Sequence, residues 1–287
     1  MYFKNRYKQA VWAASGSIAV LIVVLMFVQG KYKLTPYIIP IDMGLNYAIL
    51  ASILVAIIPP AIVEVNNNRW LKQVDKNLSK ILMDVTESVR SGMPMIRALE
   101  EASQRDYGPI SKNLEIAVVN FNLTSDFDGS MKWFGESLIQ PSGKRMATIL
   151  TEAQKSGGKM IDVLETSINM FTSLDAYRQE KESQISPYIL LVYVSSLIFL
   201  FIGWVVISQF LQPMTKTNIN TPGIPNLVGG MLSLDYYKSI IFYAAVVEGL
   251  IGGLVAGKIA NSRIFSGLIH SALLISITYL FYIVLLP

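Results

Sequence analysis

The sequence predicts an all-α, polytopic membrane protein with about five transmembrane helices and a cytoplasmic helical-bundle domain inserted between the second and the third. Hydrophobic residues make up 52% of the chain and charged residues only 15%, and the mean hydropathy is +0.45. Charge is also confined, since of the 20 Asp and Glu residues only Asp42, Asp235 and Glu248 lie outside residues 64–182. No alternating apolar pattern of useful strand length occurs. A soluble protein with an apolar patch would not confine charge in this way.

The charged segment, residues 64–185, has the period of a helical bundle. Its apolar residues recur at spacings of three and four, which places them on one face of a helix. In the first helix they are Leu71, Val74, Leu78, Ile81, Leu82, Val85 and Val89. The opposite face carries Lys72, Lys76 and Lys80. We therefore predict a water-soluble helical domain at 64–185, with two N-terminal spans in residues 1–63 and three C-terminal spans in residues 186–287.

Glycine and proline divide this domain into helices. Gly92 ends the first helix, and Pro94 suits the first turn of the next, where its missing N–H costs no hydrogen bond. Gly157 and Gly158 break the chain a second time. No strong breaker then occurs before Pro187, so that helix is predicted to continue into the third span. Between the two breaks, helices are predicted at about 94–108, 110–122, 131–138 and 142–155, the third of them capped by Asp126 or Asp128.

Five apolar runs are close to the length of about 20 residues that crosses a bilayer core. The first follows Lys4, Arg6 and Lys8 and carries no charge up to residue 30. It lacks the small-x-small cleavage site of a signal peptide, so it is predicted to be retained. Pro59 and Pro60, near the end of the second run, are expected to kink it or to mark its exit. The later runs lie at about 45–63, 187–211, 239–257 and 264–286, with a polar, turn-rich loop at about 212–238.

The basic residues predict the orientation, because cytoplasmic loops of membrane proteins are enriched in Lys and Arg. With the N-terminus inside, the basic N-terminus, the charged domain and the turn between Lys258 and Arg263 all lie in the cytoplasm. The cations outside are then Lys31, Lys33, Lys216 and Lys238. Five spans leave the C-terminus outside. We therefore predict a multi-pass protein of the cytoplasmic membrane in this orientation.

The composition excludes most kinds of enzyme site. The chain has no cysteine, which excludes disulfides, thiolate metal sites and cysteine nucleophiles. Its single histidine, His270, excludes a zinc helix with two histidines. Gly252, Gly257 and Lys258 have the spacing of a phosphate-binding loop, but Ile259 replaces the Ser or Thr that would hold magnesium. We predict no catalytic residue, no metal, no cofactor and no nucleic-acid partner.

The fourth span carries a small-residue face and a deep carboxylate. Gly249, Gly253 and Gly257 are spaced by four, and such faces let another helix backbone approach closely, within the chain or between chains. Glu248 lies beside them, at a depth where a carboxylate is costly enough to mark a functional site. Counted outward from the turn between the last two spans, His270 reaches a similar depth. We therefore hypothesise a Glu248–His270 contact; the alternative is a protonated Glu248 bonded to a backbone carbonyl.

Several segments of the chain resemble a known family. Residues 88–99 (SVRSGMPMIRAL) have its helix, glycine turn and helix restart, and residues 155–164 (KSGGKMIDVL) have its second glycine turn. The closing hairpin, at 253–259 and 266–271, resembles the archaeal branch in particular. The family is the type II secretion system F family, the platform proteins of secretion systems, type IV pili, archaella and tight-adherence machines. Gly92, Pro94, Gly157 and Gly158 stand at its helix turns.

The resemblance implies a function without catalysis. A platform protein of this family anchors a filament machine in the cytoplasmic membrane, docks a separate assembly ATPase on its cytoplasmic domain and passes the motion to pilin subunits. ATPase contacts are then expected on the helices of residues 69–105 and 128–160, through Lys72, Lys76, Lys80, Arg97, Lys144, Arg145 and Lys159. The alternative for each of these side chains is an ordinary solvated surface.

Many members of the family carry two copies of the cytoplasmic domain, whereas this sequence shows one copy and no internal repeat. The resemblance therefore implies a homodimer or a pair with a related platform chain, embedded in membrane lipid. A second class of function stays open, because a transporter or permease subunit would use Glu248 and His270 as a relay. Flux into vesicles would favour the transporter, and co-purification with a secretion ATPase and pilins would favour the platform protein.

Overall fold

The computed structural model describes residues 2–28, 39–213 and 234–285, and within these ranges the regular elements are all helical. The longer helices are α1 (Asn5–Val28), α2 (Met43–Arg90), α3 (Met95–Ser103), α4 (Ser111–Thr124), α5 (Phe127–Ser137), α6 (Pro141–Ser156), α7 (Met160–Val205), α8 (Leu234–Asn261) and α9 (Leu268–Leu285). Short 3₁₀ turns lie at Gly108–Ile110, Gly157–Lys159 and Ile264–Gly267, and a π-helical segment at Val206–Leu211 follows α7. The prediction of an all-α fold is confirmed.

Five helices of the described chain are long and apolar enough to cross a membrane. They are α1, α2, α7, α8, and α9 together with the turn that precedes it. The prediction of a polytopic membrane protein is confirmed. The second span is part of a longer helix than predicted, and the third continues the preceding helix as predicted. Most of the predicted loop at 212–238 lies outside the described residues, as do Lys31, Lys33 and Lys216.

The chain divides into two compact units. One contains Tyr2 and Asn66–Ser183, and we call it the charged unit. The other contains Phe3–Val65 and the described residues from Gln184 on, and we call it the membrane unit. Helix α2 has 48 residues and α7 has 46, and each contributes residues to both units. The domain limits at 63/64 and 185/186 remain a prediction about where the membrane ends.

The apolar stripes of the charged unit pack into one core. The stripe of α2 contributes fully buried side chains, among them Val74, Leu78, Ile81, Leu82 and Val85. They share the core with Leu114 of α4, Phe134 of α5, Leu150 of α6 and Leu164 of α7. Burying one such side chain contributes about 1.5–3 kcal/mol. The periodicity visible in the sequence is therefore the pattern that holds this unit together.

The start of α5 is set by its capping residue. Asp126, rather than Asp128, is the cap, and its carboxylate accepts a hydrogen bond of 2.9 Å from the Gly129 N–H. This bond satisfies one of the backbone donors that the first turn of a helix leaves free. Helix α5 therefore begins at Phe127, before its predicted start at Met131.

The proline pair of α2 does not end that helix. Pro59 and Pro60 lie inside α2, which continues to Arg90. Pro60 has no N–H to donate to the carbonyl of Ala56, four residues earlier. The buried hydroxyl of Ser15, on α1, donates a hydrogen bond of 3.1 Å to that carbonyl. The prolines therefore do not break α2, because a neighbouring helix supplies the missing donor, and the exit of the second span at these residues remains a prediction.

A buried amide joins α2 to α8 in the membrane unit. Asn46 has no exposed surface, and its Nδ2 donates a hydrogen bond of 2.9 Å to the Ser239 hydroxyl. Its Oδ1 accepts a hydrogen bond of 2.8 Å from the Tyr243 hydroxyl. Hydrogen bonds between membrane helices contribute about 0.6 kcal/mol on average. These contacts therefore act mainly by selecting which face of α2 meets α8.

Candidate functional site

The first group of candidate docking residues lies along α2 in the charged unit. Lys72, Lys76 and Lys80 are one turn apart and all exposed. The Lys72 ammonium pairs with the Glu182 carboxylate at 2.6 Å, and the Lys80 ammonium lies 5.7 Å from the centre of the Tyr107 ring. Within the described residues, Lys76 has no carboxylate at ion-pair distance. Of these three lysines, Lys76 therefore has the fewest contacts within the chain that would compete with an external partner.

The other four candidates lie on α3, on α6 and in the turn after α6, and they too are exposed. Arg97 pairs with Glu100 of its own helix at 2.8 Å. Lys144, Arg145 and Lys159 form no ion pair with any described residue. An exposed ion pair contributes about 0–1 kcal/mol, so even Arg97 can exchange its partner. The structure leaves these cations accessible but does not gather all seven into one pocket.

A carboxylate that the sequence did not single out joins three helices of the charged unit. Asp75 of α2 accepts a hydrogen bond from the Ser142 hydroxyl of α6. The other oxygen of Asp75 lies 3.3 Å from the guanidinium of Arg178, on α7, which also contacts Asp175 at 3.4 Å. Ser79 of α2 donates a hydrogen bond of 2.8 Å to Asp175. This network holds α7 against α2 and α6.

A second network closes the chain after α3. Tyr107 is buried, and its hydroxyl donates a hydrogen bond of 2.6 Å to Asp84 of α2. Burial raises the pKa of Tyr107 well above its ordinary value, and the bonded Asp84 carboxylate raises it further. Arg105 contacts Asp84 at 3.2 Å and Glu101 at 2.6 Å. The phenol therefore keeps its proton at physiological pH and serves as a structural donor.

The two predicted glycine turns have the backbone conformation that favours glycine. Gly92 has φ 91° and Gly157 has φ 54°, and neither has an atom near the position of an added Cβ. Glycine is therefore favoured at both turns by the backbone conformation, and not because a side chain would lack space. Pro94 directly precedes α3, one position earlier than a proline in its first turn, and Gly158 lies in the 3₁₀ turn between α6 and α7.

The deep polar residues of the membrane unit have partners on α7. The Ser196 hydroxyl donates a hydrogen bond of 2.8 Å to the Glu248 carboxylate, and the Tyr193 hydroxyl lies 2.8 Å from the Nδ1 atom of His270. The hypothesised Glu248–His270 contact is not formed, and neither is a bond from Glu248 to a backbone carbonyl. Both expectations fail because α7 lies against α8 and α9 and supplies a hydroxyl to each. Across the described residues, no group of three or more His, Asp or Glu side chains is placed to hold a metal ion.

The small-residue face of α8 is occupied by α9 of the same chain. A Cβ added at Gly257 would lie 2.0 Å from the Gly267 Cα, and one added at Gly253 would lie 2.1 Å from the Ser271 backbone nitrogen. Gly249 has more room, since its added Cβ would lie 3.3 Å from the Leu274 Cβ. The α8 backbone therefore touches α9 at Gly253 and the turn before α9 at Gly257. This stretch of the face is used within the chain.

A comparison with known families matches residues 81–208 to the type II secretion system (T2SS), protein F. These residues are a protein F domain. The family predicted from the resemblance is thus confirmed over this range, which extends from α2 into the π-helical segment after α7. Proteins of this family are non-enzymatic platform proteins of secretion- and pilus-type machines. Together with the five apolar helices, the domain supports a multi-pass protein of the cytoplasmic membrane.

One similar protein is an uncharacterised protein of Methanocaldococcus jannaschii, which is 25% identical over 205 residues. The alignment covers 70% of this chain and 32% of the relative, so the chain spans about a third of the relative's length. No solved structure matches the chain. Assignment to the archaeal branch remains a prediction.

The protein F domain contains only part of the predicted site. Within it lie Gly92, Pro94, Arg97, Lys144, Arg145, Gly157, Gly158 and Lys159, together with Tyr193 and Ser196. Before it lie Lys72, Lys76 and Lys80. After it lie Glu248, Gly249, Gly253, Gly257 and His270. The functional roles of all these residues remain predictions.

Proposed function

We propose that this chain is the platform protein of a type IV pilus-like or archaellum-like filament machine. In this role its N-terminus is inside and its C-terminus outside, its charged unit docks a cytoplasmic assembly ATPase, and its membrane helices pass the motion to pilin subunits. The observation that carries the proposal is the protein F domain, which covers most of the charged unit and the membrane helix that follows it.

The course of α7 supports the coupling step. This single helix runs from Met160 in the charged unit to Val205 in the membrane unit, with Pro187 inside it. Arg178 ties its first part to α2 in the charged unit. Ser196 and Tyr193 tie its second part to α8 and α9 in the membrane unit. A load on the charged unit therefore reaches the membrane helices through one continuous backbone.

The exposed cations support an acidic docking partner. Four of the seven candidates, Lys76, Lys144, Arg145 and Lys159, form no ion pair with described residues and keep their charge available. Complementary charge steers association and excludes wrong partners, while like charges opposed across an interface cost several kcal/mol. The adjacent pair Lys144 and Arg145 lies inside the protein F domain and is the sharpest place to test this contact.

We expect Lys144→Glu/Arg145→Glu to reduce capture of the assembly ATPase by at least about tenfold, because two attractive charges become repulsive. The measurement is co-purification of the ATPase with the tagged full-length protein in detergent at two salt concentrations. The matched control, Lys112→Glu/Lys181→Glu, reverses two exposed cations of the same unit that lie outside the candidate helices at 69–105 and 128–160. If the test variant captures the ATPase at the native level, these residues are not part of the docking surface. If the control loses as much capture as the test variant, the net charge of the charged unit explains the loss and the positions of Lys144 and Arg145 do not.

We further propose that two such chains work together, as a homodimer or as a pair with a related platform chain. Support comes from the single protein F domain matched in this chain, since many family members carry two copies of the domain. The mass of the detergent-solubilised complex, measured by light scattering with the detergent contribution subtracted, distinguishes one chain from two.

The transporter alternative has less support, because its relay is not formed. Glu248 and His270 have separate partners, Ser196 and Tyr193, on α7. A proton would therefore have to pass from the Ser196–Glu248 pair to the Tyr193–His270 pair, and no described hydrogen bond connects the two. The arrangement is better suited to holding three helices together than to carrying a substrate.

We expect Glu248→Gln to lower filament assembly while leaving the melting temperature unchanged or higher. Glu248 lies near the middle of α8, where an acidic side chain costs about 2.5–3.5 kcal/mol in a membrane helix. The amide removes this cost, and its oxygen can still accept the Ser196 hydrogen bond. Ser196→Ala is the control, since it removes the bond but retains the carboxylate. Native assembly in Glu248→Gln would rule out a role for the charge.

A further inference from the structure

A cleft of about 150 Å³ lies in the membrane unit between α1, α2 and the turn that leads into α9. The rings of Trp12 and Phe265 meet there edge to face, with 6.1 Å between their centres. They remain 41% and 61% exposed. Val11 and Val63 also line the cleft. Because tryptophan is enriched at the level of lipid headgroups, and Phe265 and the valines are apolar, these walls suit the apolar part of an amphiphile.

An ammonium group is held in position at this cleft. Lys8 of α1 pairs with Glu64 of α2 at 2.7 Å, and their side chains are only 24% and 10% exposed. The bond to Glu64 occupies one of the three N–H donors of Lys8 and leaves two for another acceptor. Lys4 lies one turn earlier, and its carbonyl accepts a hydrogen bond of 3.2 Å from the Lys8 N–H. The cleft therefore has one oriented cation in its wall, and a second, Lys4, one helical turn away.

The positive charge at this end of the membrane unit is not balanced. Lys4, Arg6, Lys258 and Arg263 are exposed and form no ion pair with any described residue. Arg263 stands two residues before Phe265, immediately before the turn that lines the cleft. The Glu64 carboxylate is already neutralised by Lys8. We call this group of cations the basic end.

The acidic residues Asp42 and Asp235 lie away from the basic end. Asp42 precedes the first residue of α2, and Asp235 lies in the first turn of α8, whose last residue is Asn261. A bond between Asn46 and Ser239 brings these two helix starts together. At a rise of about 1.5 Å per residue, the α8 start is roughly 40 Å from its other end. Neither carboxylate can therefore offset the cations around the cleft.

We propose that this cleft binds one anionic phospholipid, with the phosphate at Lys8, Lys4 and Arg263 and an acyl chain along Trp12 and Val63. Basic pockets between membrane helices are the general form of such sites. The apolar wall favours a lipid over a free phosphate ion, which would use the cations alone. The proposed site lies in the membrane unit alone, so it should retain anionic lipid whether or not an ATPase is docked on the charged unit.

The test is native mass spectrometry of the full-length protein in detergent, titrated separately with phosphatidylglycerol and phosphatidylcholine. We expect one phosphatidylglycerol to be retained in preference. Removing one cation in Lys4→Gln should weaken this binding about fivefold, and Lys4→Gln/Arg263→Gln about twenty-five-fold, with phosphatidylcholine unaffected. Val63→Phe should also abolish the preferential retention of phosphatidylglycerol, because the larger side chain fills the cleft where the acyl chain would lie, while every cation remains.

The control for general attraction is Arg6→Gln, which removes a cation of the same end. Arg6 is two residues after Lys4, about 200° around the helix, and so faces away from the cleft. Native binding in Arg6→Gln supports a built site, and a loss equal to that of Lys4→Gln overturns it. Equal retention of the two lipids by the native protein also overturns the proposal. So does displacement of phosphatidylglycerol by millimolar inorganic phosphate, since the ligand would then be the free ion.

Discussion

Gly257→Ala is expected to lower the melting temperature of the purified protein by about 6–12 °C, because the α8 backbone touches the backbone of the turn before α9 at this residue. The new Cβ would lie 2.0 Å from the Gly267 Cα. Rotation of a side chain cannot relieve an overlap with backbone, so the helices must move apart. Overpacking typically costs about 1–3 kcal/mol, and the upper end is expected here because the overlap is with backbone. Thermal unfolding of the full-length protein in detergent measures the effect.

Other glycines provide a graded control for this result. Gly253→Ala should be as damaging, since its Cβ would lie 2.1 Å from the Ser271 nitrogen, whereas Gly249→Ala should be mild, at 3.3 Å from the Leu274 Cβ. Gly16→Ala, on α1, has no atom within 4 Å and should be neutral or slightly stabilising. A similar loss at all four positions would show that close approach of α8 and α9 is not the cause.

Lys8→Met is expected to destabilise the membrane unit by about 2–4 kcal/mol, because it leaves the Glu64 carboxylate without its cation. Glu64 is buried and pairs with Lys8 at 2.7 Å. A charge removed from water is tolerated when it is paired, and the cost appears when one partner is lost. The corresponding fall in melting temperature is about 4–16 °C.

The double variant Lys8→Met/Glu64→Leu separates this explanation from a simple loss of packing. Replacing both members of a buried ion pair with apolar residues is often close to neutral, so the double variant should recover most of the lost stability. Arg90→Met is the matched control, since its pair with Glu165 is 61% and 43% exposed and should contribute less than about 1 kcal/mol. A double variant as unstable as Lys8→Met would contradict the proposed penalty.

The helical fold of this protein could be read from its sequence because it depends on local properties. The α2 stripe from Val74 to Val89 is buried as its period predicts. Gly92 and Gly157 interrupt the helices where expected, and α7 passes through Pro187 without a break. Segregation of charge from apolar residues likewise marked five membrane helices. Each of these inferences needs only neighbouring residues and the solvent that they prefer.

The partners of individual side chains could not be read in the same way. Glu248 and His270 were matched by depth, but the structure bonds them to Ser196 and Tyr193, two residues three positions apart on α7. The network of Asp75 and Ser79 of α2 with Asp175 and Arg178 of α7 was not predicted from the sequence at all. Periodicity identifies the face that a helix buries but not the helix that covers it. That choice depends on side chains far apart in the chain, which meet only after the helices have packed.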